Sequence, residues 1–319
     1  MNRHLKMSLW TLGAAAATIV LLVILADGHR VAQTTLNGVA SGVAIALGAV
    51  GLALIFSVLR VVNFAHGDLL TLTAYITLAL MTGASIPLVV AAVIAIVVTA
   101  SLTGAMEITV WRPLRKRGAG VLQKLLVGIG LAFLIRGVVQ VVFGAEPRRL
   151  DVDVSRSVPL PGGLTLGYIQ LWSLVIGLII LISLACWLKF SHSGRELRAI
   201  ADNDMLAETT GINTKRWMLT TWIIGGAAAG LAGVLTAGSV GAITPNFGFM
   251  LLLAMFAATI LGGVSSAFGA IAGGLVIGLV QEWSTMFFDS SWKLAVGFGV
   301  LILTLIVRPT GLLGKAKLS

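Results

Sequence analysis

The chain has 319 residues, of which 58% are hydrophobic and only 11% are charged, and its formal net charge is +10. So apolar a composition excludes a soluble globular protein, and the lack of regular apolar–polar alternation excludes an outer-membrane β-barrel. The positive charge does not indicate nucleic-acid binding, because lysine and arginine concentrate on the cytoplasmic side of membrane proteins.

Apolar runs follow one another along the chain and predict an all-α protein, a polytopic transmembrane helical bundle. A bilayer core about 30 Å thick needs roughly 20 apolar residues per helix. Two runs, at residues 69–81 and 247–261, are shorter and predict half-helices or re-entrant segments, so we expect eight to ten membrane segments. The other runs are residues 9–25, 36–59, 86–110, 121–143, 171–188, 217–237, 267–283 and 294–307.

The distribution of charge predicts how these segments are oriented. Basic residues cluster before the first run, at residues 112–124, in the loop 191–216 and in the C-terminal tail, whereas the loop 145–168 balances basic against acidic residues. A cytoplasmic N-terminus, with the first run kept as a helix and not cleaved as a signal peptide, places every basic cluster inside and the loop 145–168 outside. Both termini are then cytoplasmic, and residues 1–319 form a single transmembrane domain.

A polar segment, residues 60–68, interrupts the second and third runs. Asn63, His66 and Asp68 are costly in lipid unless they face protein or water, and Gly67 permits a tight turn or a close backbone approach. One interpretation is a gate or a lining of the substrate path. The other is an interfacial turn, in which Arg60 reaches the lipid head groups and Asn63 or Asp68 caps the next helix.

Arg136 lies well inside the run 121–143, where a charged side chain needs a carboxylate, carbonyl groups or water. Glu107 and Glu282 are its possible partners, and we expect a structural ion pair ahead of contact with a substrate. Glu282 itself lies near the outer end of the run 267–283, where solvent can reach it.

The longest charged loop, residues 191–216, predicts two short helices between two apolar runs. Residues 195–201 favour the first, Asn203 can cap the second at residues 204–208, and Gly211 can end it in the left-handed conformation. Such a helix either docks in a groove on another protein or only connects two membrane helices. The side chains that it would present to a groove are those of Met205, Leu206 and Ala207.

A weak internal similarity links the polar segment to a later part of the chain. Asn63 and Phe64 precede one apolar run, and Asn246 and Phe247 precede another, which by the predicted orientation starts from the opposite face. An inverted repeat would have this form, and such repeats place the substrate path at their interface, with Asn246 beside it. The alternative is a chance similarity between two apolar segments.

No constellation of residues typical of an enzyme is present in the sequence. The phosphate-binding pattern G-x4-G-K-[ST] is absent, so any hydrolysis of ATP by that route must occur in a partner subunit. His66 and Asp68 have no third ligand nearby, and Cys186 is the only cysteine. We therefore expect no metal, no cofactor and no disulfide.

Four segments together carry a resemblance to a known family. They read GLALIFSVLRVVNFAHGDLLTLTAYIT, GRELRAIADNDMLAETTGIN, TPNFGFMLLLAMFAATILGGVSSAFGAIAGGLVIGLVQ and VRPTGLLG. On these motifs the chain resembles the permease subunits of branched-chain amino-acid ABC importers, specifically the first of their two paired permeases, and the resemblance extends over residues 36–314. In the loop 191–216, Ala207, Gly211, Ile212 and Asn213 match the family's A-x3-G-I-N positions, although residues 208–210 replace the more usual small apolar residues.

The resemblance implies a channel-forming permease in the bacterial inner (plasma) membrane. It would pair with a second similar permease, two ATP-binding subunits and a periplasmic solute-binding protein, with the loop 191–216 coupling it to the ATPase. The solute would be a branched-chain or related amino acid, but similar permeases transport urea, short amides or aromatic acids. ATP binding would open the bundle outward to accept the solute, and specificity would lie mainly in the binding protein.

Two other classes of protein remain open on sequence alone. In a secondary transporter, Asp68, Arg136 and Glu282 would couple solute movement to an ion gradient. A membrane scaffold would transport nothing. Uptake that needs no ATPase partner would favour the first class, and uptake that stays intact without this chain would favour the second.

Overall fold

The computed structural model describes residues 28–308 and 311–313, so the predicted helix at residues 9–25 lies outside the described residues. Within that part of the chain, eight helical segments are long and apolar enough to cross a membrane, which confirms the all-α polytopic bundle. The helices are α1 (Gly28–Leu59), α2 (Ala65–Ala84), α3 (Leu88–Met106), α4 (Arg112–Lys116), α5 (Val121–Phe143), α6 (Tyr168–Phe190), α7 (His192–Asp202), α8 (Asp204–Thr209), α9 (Thr214–Val240), α10 (Phe247–Gly262), α11 (Ala267–Ser284) and α12 (Lys293–Val307).

The two shorter apolar runs differ in how well the predicted helix length agrees with the structure. α2 has 20 residues, because the helix begins at Ala65 and includes the polar His66 and Asp68 ahead of the apolar run. The expectation of a short helix at residues 69–81 is therefore wrong in length. α10 has 16 residues and extends over only about 24 Å, so this helix is as short as predicted.

α1 is the central helix of the bundle, and nearly all of its residues from Gly42 onward are buried. α11 packs along it in the antiparallel direction: a Cβ on Gly42 would meet Leu275, and one on Gly274 would overlap Ala46. Small residues let the two backbones approach closely where lipid provides no hydrophobic force for association. The glycines of both helices therefore allow the close approach of α1 and α11.

α9 is the second helix of the core, and it packs against α2 and α3. A Cβ on Gly226 would overlap Thr103, and one on Gly230 would lie 3.1 Å from the hydroxyl of Thr73. The hydroxyls of Thr73 and Thr99 are 2.8 Å apart, so a buried hydrogen bond joins α2 to α3 beside this contact. This polar contact thus joins two helices inside the core, as expected in a membrane bundle.

Two short antiparallel strand pairs cover one end of the bundle. β1 (Arg148–Arg149) pairs with β4 (Ala242–Ile243), and β2 (Ser157–Pro159) pairs with β3 (Thr165–Gly167). The first pair ties the loop 145–168 to the connection between α9 and α10. Within this loop, hydrogen bonds from the Ser155 hydroxyl and from backbone amides lower the pKa of the Asp153 carboxyl, which therefore stays ionised at neutral pH.

Candidate translocation path and coupling loop

The polar segment, residues 60–68, returns from the end of α1 into the interior of the bundle. α1 ends at Leu59, yet Nε2 of His66 lies 3.0 Å from the carbonyl oxygen of Gly48. Gly48 lies about 16 Å before the end of α1 along the helix axis. The residues between α1 and α2 are non-helical and, when extended, can cover that distance. The segment is therefore interior, and the interpretation as an interfacial turn does not describe it.

The buried end of the polar segment contains two polar atoms without a partner. Asn63 and His66 have no exposed surface. Oδ1 of Asn63 accepts from the amide of Ala65 at 3.2 Å, but the N-cap position of α2 is Phe64, so Asn63 is not the predicted cap. The Gly48 carbonyl can only accept, so Nε2 of His66 carries the proton that it donates. Nδ2 of Asn63 and Nδ1 of His66 have no hydrogen-bond partner among the described residues.

Arg136 and Asp68 form an ion pair inside the bundle. Nε of Arg136 donates to Oδ1 of Asp68 at 2.8 Å, and Nη2 donates to Oδ2 at 3.2 Å. The Asp68 side chain is fully buried, and that of Arg136 is 16% exposed. The guanidinium also lies 5.0 Å from the ring centroid of Phe249 and 5.7 Å from that of Phe133. The pair joins the first turn of α2 to the middle of α5, beside the first turn of α10.

The predicted partners of Arg136 are wrong. Glu107 pairs with Arg115, eight positions along the same helical stretch, and Glu282 pairs with Lys293, whose Nζ lies 2.7 Å from Oε1. Glu282, near the end of α11, thus meets Lys293 at the start of α12. Asp68 reaches the depth of Arg136 only because the polar segment returns into the bundle. Because α2 begins at Ala65, Asp68 lies inside its first turn and is not its cap.

α2 and α10 cross at two glycines in their first turns. A Cβ on Gly67 would lie 2.5 Å from the carbonyl oxygen of Gly248, and one on Gly248 would overlap the carbonyl oxygen of Gly67. The amide of Gly248 donates to the hydroxyl of Thr71 at 2.8 Å. The two segments that the internal similarity linked therefore meet at their N-terminal ends.

Asn246 lies apart from this buried group. It is exposed at the position before α10, and its side chain does not cap that helix. Its backbone carbonyl instead accepts from the amides of Phe249 and Met250. The structure thus brings Asn63, His66, Gly67 and Asp68 together and leaves Asn246 at the edge of the crossing.

The coupling loop, residues 191–216, has the two helices that the sequence predicted. Oδ1 of Asn203 accepts from the amide of Leu206 at 3.0 Å and caps α8. Gly211 has φ +87°, and its amide donates to the Glu208 carbonyl at 3.0 Å. The left-handed glycine ends the helix as predicted, so α8 is held at both ends by local hydrogen bonds.

The residues predicted to face a partner divide into two groups. Met205 is 78% exposed and Leu206 is 62% exposed, whereas Ala207 is 4% exposed and faces the bundle. The expectation for Ala207 is therefore wrong as a direct contact, because successive residues of a helix point about 100° apart. Ile212 packs against the core, and Oδ1 of Asn213 accepts from the Arg216 amide at 3.0 Å and caps α9.

Sequence reasoning missed a direct link between the coupling loop and the polar segment. Nη2 of Arg60 donates to the carbonyl oxygen of Ala201 in α7 at 2.7 Å. Arg60 is not a glycine, yet it has φ +53°, a conformation that costs an ordinary residue about 1–2 kcal/mol. A cavity of about 520 Å³ opens beside this link between α1, α7 and the start of α11. The two residues are 141 positions apart, so no local pattern could have signalled the contact.

Residues 34–305 match a family model described as the branched-chain amino acid transport system permease component. The high-affinity branched-chain amino acid transport system permease protein BraD of Pseudomonas aeruginosa is 31% identical over 299 residues, which cover 90% of this chain and 97% of that protein. The corresponding protein LivH of Escherichia coli K12 is 30% identical over 301 residues, 90% of this chain and 96% of that protein. No solved structure is significantly similar to this chain.

Proposed function

The chain belongs to the family of branched-chain amino acid transport system permease components, and from that membership we propose that it is the translocating subunit of an ATP-driven importer. Its partners are a second similar permease, two ATP-binding subunits and a periplasmic solute-binding protein. It lies in the bacterial inner membrane with both termini in the cytoplasm, because that orientation places the basic clusters inside.

The solute is a branched-chain or related amino acid. Relatives whose names refer to branched-chain amino acid transport align over nearly the whole chain. This alignment favours an amino acid as the solute over urea, short amides or aromatic acids. The balanced outer loop 145–168 receives the binding protein, which determines most of the specificity. Binding measurements on that protein, with valine compared with urea and a short amide, test the solute directly.

The observation that carries the coupling proposal is the exposed apolar tip of α8. Met205 and Leu206 place two long apolar side chains in water on an otherwise polar loop. An apolar pair at adjacent positions of a capped helix is suited to a groove on a partner protein. The ATP-binding subunit is the partner that family membership implies for this tip.

A contiguous set of contacts can transmit movement of the coupling loop to the path. α7 holds Arg60 through the Ala201 carbonyl, and Arg60 begins the extended part of the polar segment. That part leads to Asn63, His66 and Asp68, which with Gly67 form the gate. A buried polar atom without a partner costs about 1–3 kcal/mol. The unpaired Nδ2 of Asn63 and Nδ1 of His66 therefore favour a second state in which the gate is open and these atoms are hydrated or contact the solute.

The transport cycle is alternating access. ATP binding closes the two ATP-binding subunits, which moves the coupling loops together and opens the bundle toward the binding protein. Hydrolysis then returns the bundle to an inward-open state. An ion-coupled carrier is less well supported, because Asp68 and Glu282 are both engaged in ion pairs.

The change Gly211→Pro tests the coupling proposal. Proline fixes φ near −65° and has no amide hydrogen, so it can neither adopt φ +87° nor donate to the Glu208 carbonyl. We expect ATP-dependent uptake to be abolished and co-purification of the ATP-binding subunit to weaken, while membrane insertion is kept.

Gly118→Pro is the matched control for this variant. Gly118 has φ +69°, donates to the Arg115 carbonyl at 3.0 Å and has open space around it, but it lies in the connection between α4 and α5. Uptake should survive this change. Normal uptake by Gly211→Pro, or uptake that persists without any ATP-binding subunit, would contradict the proposal.

A further inference from the structure

The guanidinium of Arg136 uses only one of its two hydrogen-bonding edges within the bundle. Nε and Nη2 donate to Asp68, and Nη1 donates to no group among the described residues. The edge formed by Nη1 and Nη2 has the geometry that binds a carboxylate with two parallel hydrogen bonds. The Arg136 side chain is 16% exposed, so it is not fully enclosed by the single chain, and Nη1 has no bonded partner there that a carboxylate would have to displace.

The surroundings of this edge combine positive charge with an apolar surface. Phe133 precedes Arg136 by about one turn of α5, and its ring is 65% exposed. Gln140, one turn further along, is also exposed. Phe249 lies in the first turn of α10, so the positive end of that helix is close to the guanidinium. An anion with an apolar group attached fits such a place.

The position of this flank of α5 is not suited to lipid. Arg136 contacts Asp68, close to the residues that lie beside the middle of α1, so its open edge is at the depth of the bilayer interior. A charged edge at that depth must face water or protein. The flank of α5 that carries Phe133, Arg136 and Gln140 therefore belongs to a path or to a covered interface.

We propose that Arg136 binds the carboxylate of the amino acid in transit through its Nη1–Nη2 edge, while Asp68 holds the guanidinium in position and the ring of Phe133 contacts the apolar side chain. This inference rests on the proposed function and names the contact that distinguishes an amino acid from an uncharged solute. A single bidentate contact beside a mobile path binds weakly, which suits a subunit that must release its solute.

Thiol protection in the assembled transporter tests the contact without requiring transport. Phe133→Cys is introduced with Cys186→Ser, and the rate of modification by a water-soluble thiol reagent is measured with valine or valinamide. Valinamide keeps the side chain and the ammonium group but has no carboxylate. We expect valine to slow the modification of the cysteine at 133 severalfold and valinamide to have little effect. Val141→Cys, at a position 87% exposed on the same helix, is the control and should be unaffected by either compound.

The change Arg136→Lys separates solute contact from a structural role. Lysine can keep the ion pair with Asp68 but loses the second planar edge. Protection by valine should disappear, and uptake should fall by about tenfold, as expected when a charge-assisted bidentate contact is lost. Membrane insertion and assembly with the ATP-binding subunit should be kept, because the ion pair with Asp68 remains. The double change Asp68→Asn with Arg136→Gln removes both charges of the pair, so neither is left buried without its partner. This variant should fold like the wild type but should not support uptake.

Several results would overturn the inference. They are equal protection by valine and valinamide, protection that survives Arg136→Lys, normal uptake by the neutral double variant, and a cysteine at 133 that the reagent cannot reach. The last result would mean that another protein covers this flank. Failure of the wild-type complex to take up amino acid with ATP would instead contradict the proposed function, and the protection assay would still report on the contact.

Discussion

The interior of this bundle and the tip of its coupling loop invert the usual distribution of polar and apolar groups. Asn63, His66 and Asp68 are fully buried, whereas Met205 and Leu206 are largely exposed. Buried polar groups and exposed large apolar groups are the informative exceptions in a folded protein. Each region carries groups that are unfavourable in the isolated chain, and each therefore indicates a partner: a solute or water inside, a protein outside.

The two regions also differ in how they are held. The interior depends on an ion pair and on a glycine crossing between residues far apart in sequence. Within the coupling loop, the ends of α8 are instead set by local hydrogen bonds at Asn203 and Gly211. Contacts within a few residues therefore define α8, whereas the arrangement of the interior depends on how whole helices pack.

The largest effect is expected from breaking the interior ion pair on one side. Arg136→Met leaves the Asp68 carboxylate buried without its partner, which should lower the free energy of unfolding by about 3–5 kcal/mol. Denaturant unfolding of the purified protein in detergent measures this loss. The double variant Arg136→Met with Asp68→Leu should recover most of the lost free energy of unfolding, because no charge is then buried. If Arg136→Met alone is as stable as the wild type, Asp68 has another partner.

A smaller effect is expected from widening the crossing of α2 and α10. In Gly248→Ala the new Cβ overlaps the Gly67 carbonyl, so the helices must separate, at a cost of about 1–3 kcal/mol. The same unfolding assay applies. Gly137→Ala is the control, because nothing lies within 4 Å of that position, and its stability should match the wild type. Equal stability of both variants would mean that the crossing is not tight.

The smallest effect on stability is expected at the loop, where the effect on partner binding is greatest. The double change Met205→Ser with Leu206→Ser removes exposed groups only, so the free energy of unfolding should shift by no more than about 0.5 kcal/mol. Retention of the ATP-binding subunit on purification should fall by about tenfold, as for the loss of a modest interface anchor. Val154→Ser, half exposed on the outer loop, should retain it. Unchanged retention in the loop variant would remove α8 as the docking element.

The same contrast explains which predictions were correct. The helices of the coupling loop were predicted well because their caps are set by Asn203 and Gly211 within a few positions. The side chain of Ala207 was assigned to the wrong face, because burial depends on what packs beneath α8. Arg136 was correctly expected to need a carboxylate, but its partner is 68 positions away and was not identified.

The sequence by itself determined that this chain is a membrane bundle, where most of its helices begin and end to within a few residues, and which residues needed a partner. Those properties follow from hydropathy, local hydrogen bonding and the cost of burying charge, all of which act over short stretches of chain. The tertiary structure decided that residues 60–68 return into the interior, that Asp68 meets Arg136 and that Gly67 meets Gly248. These contacts join residues 18, 68 and 181 positions apart, and only the packing of whole helices selects among the partners that each could have had.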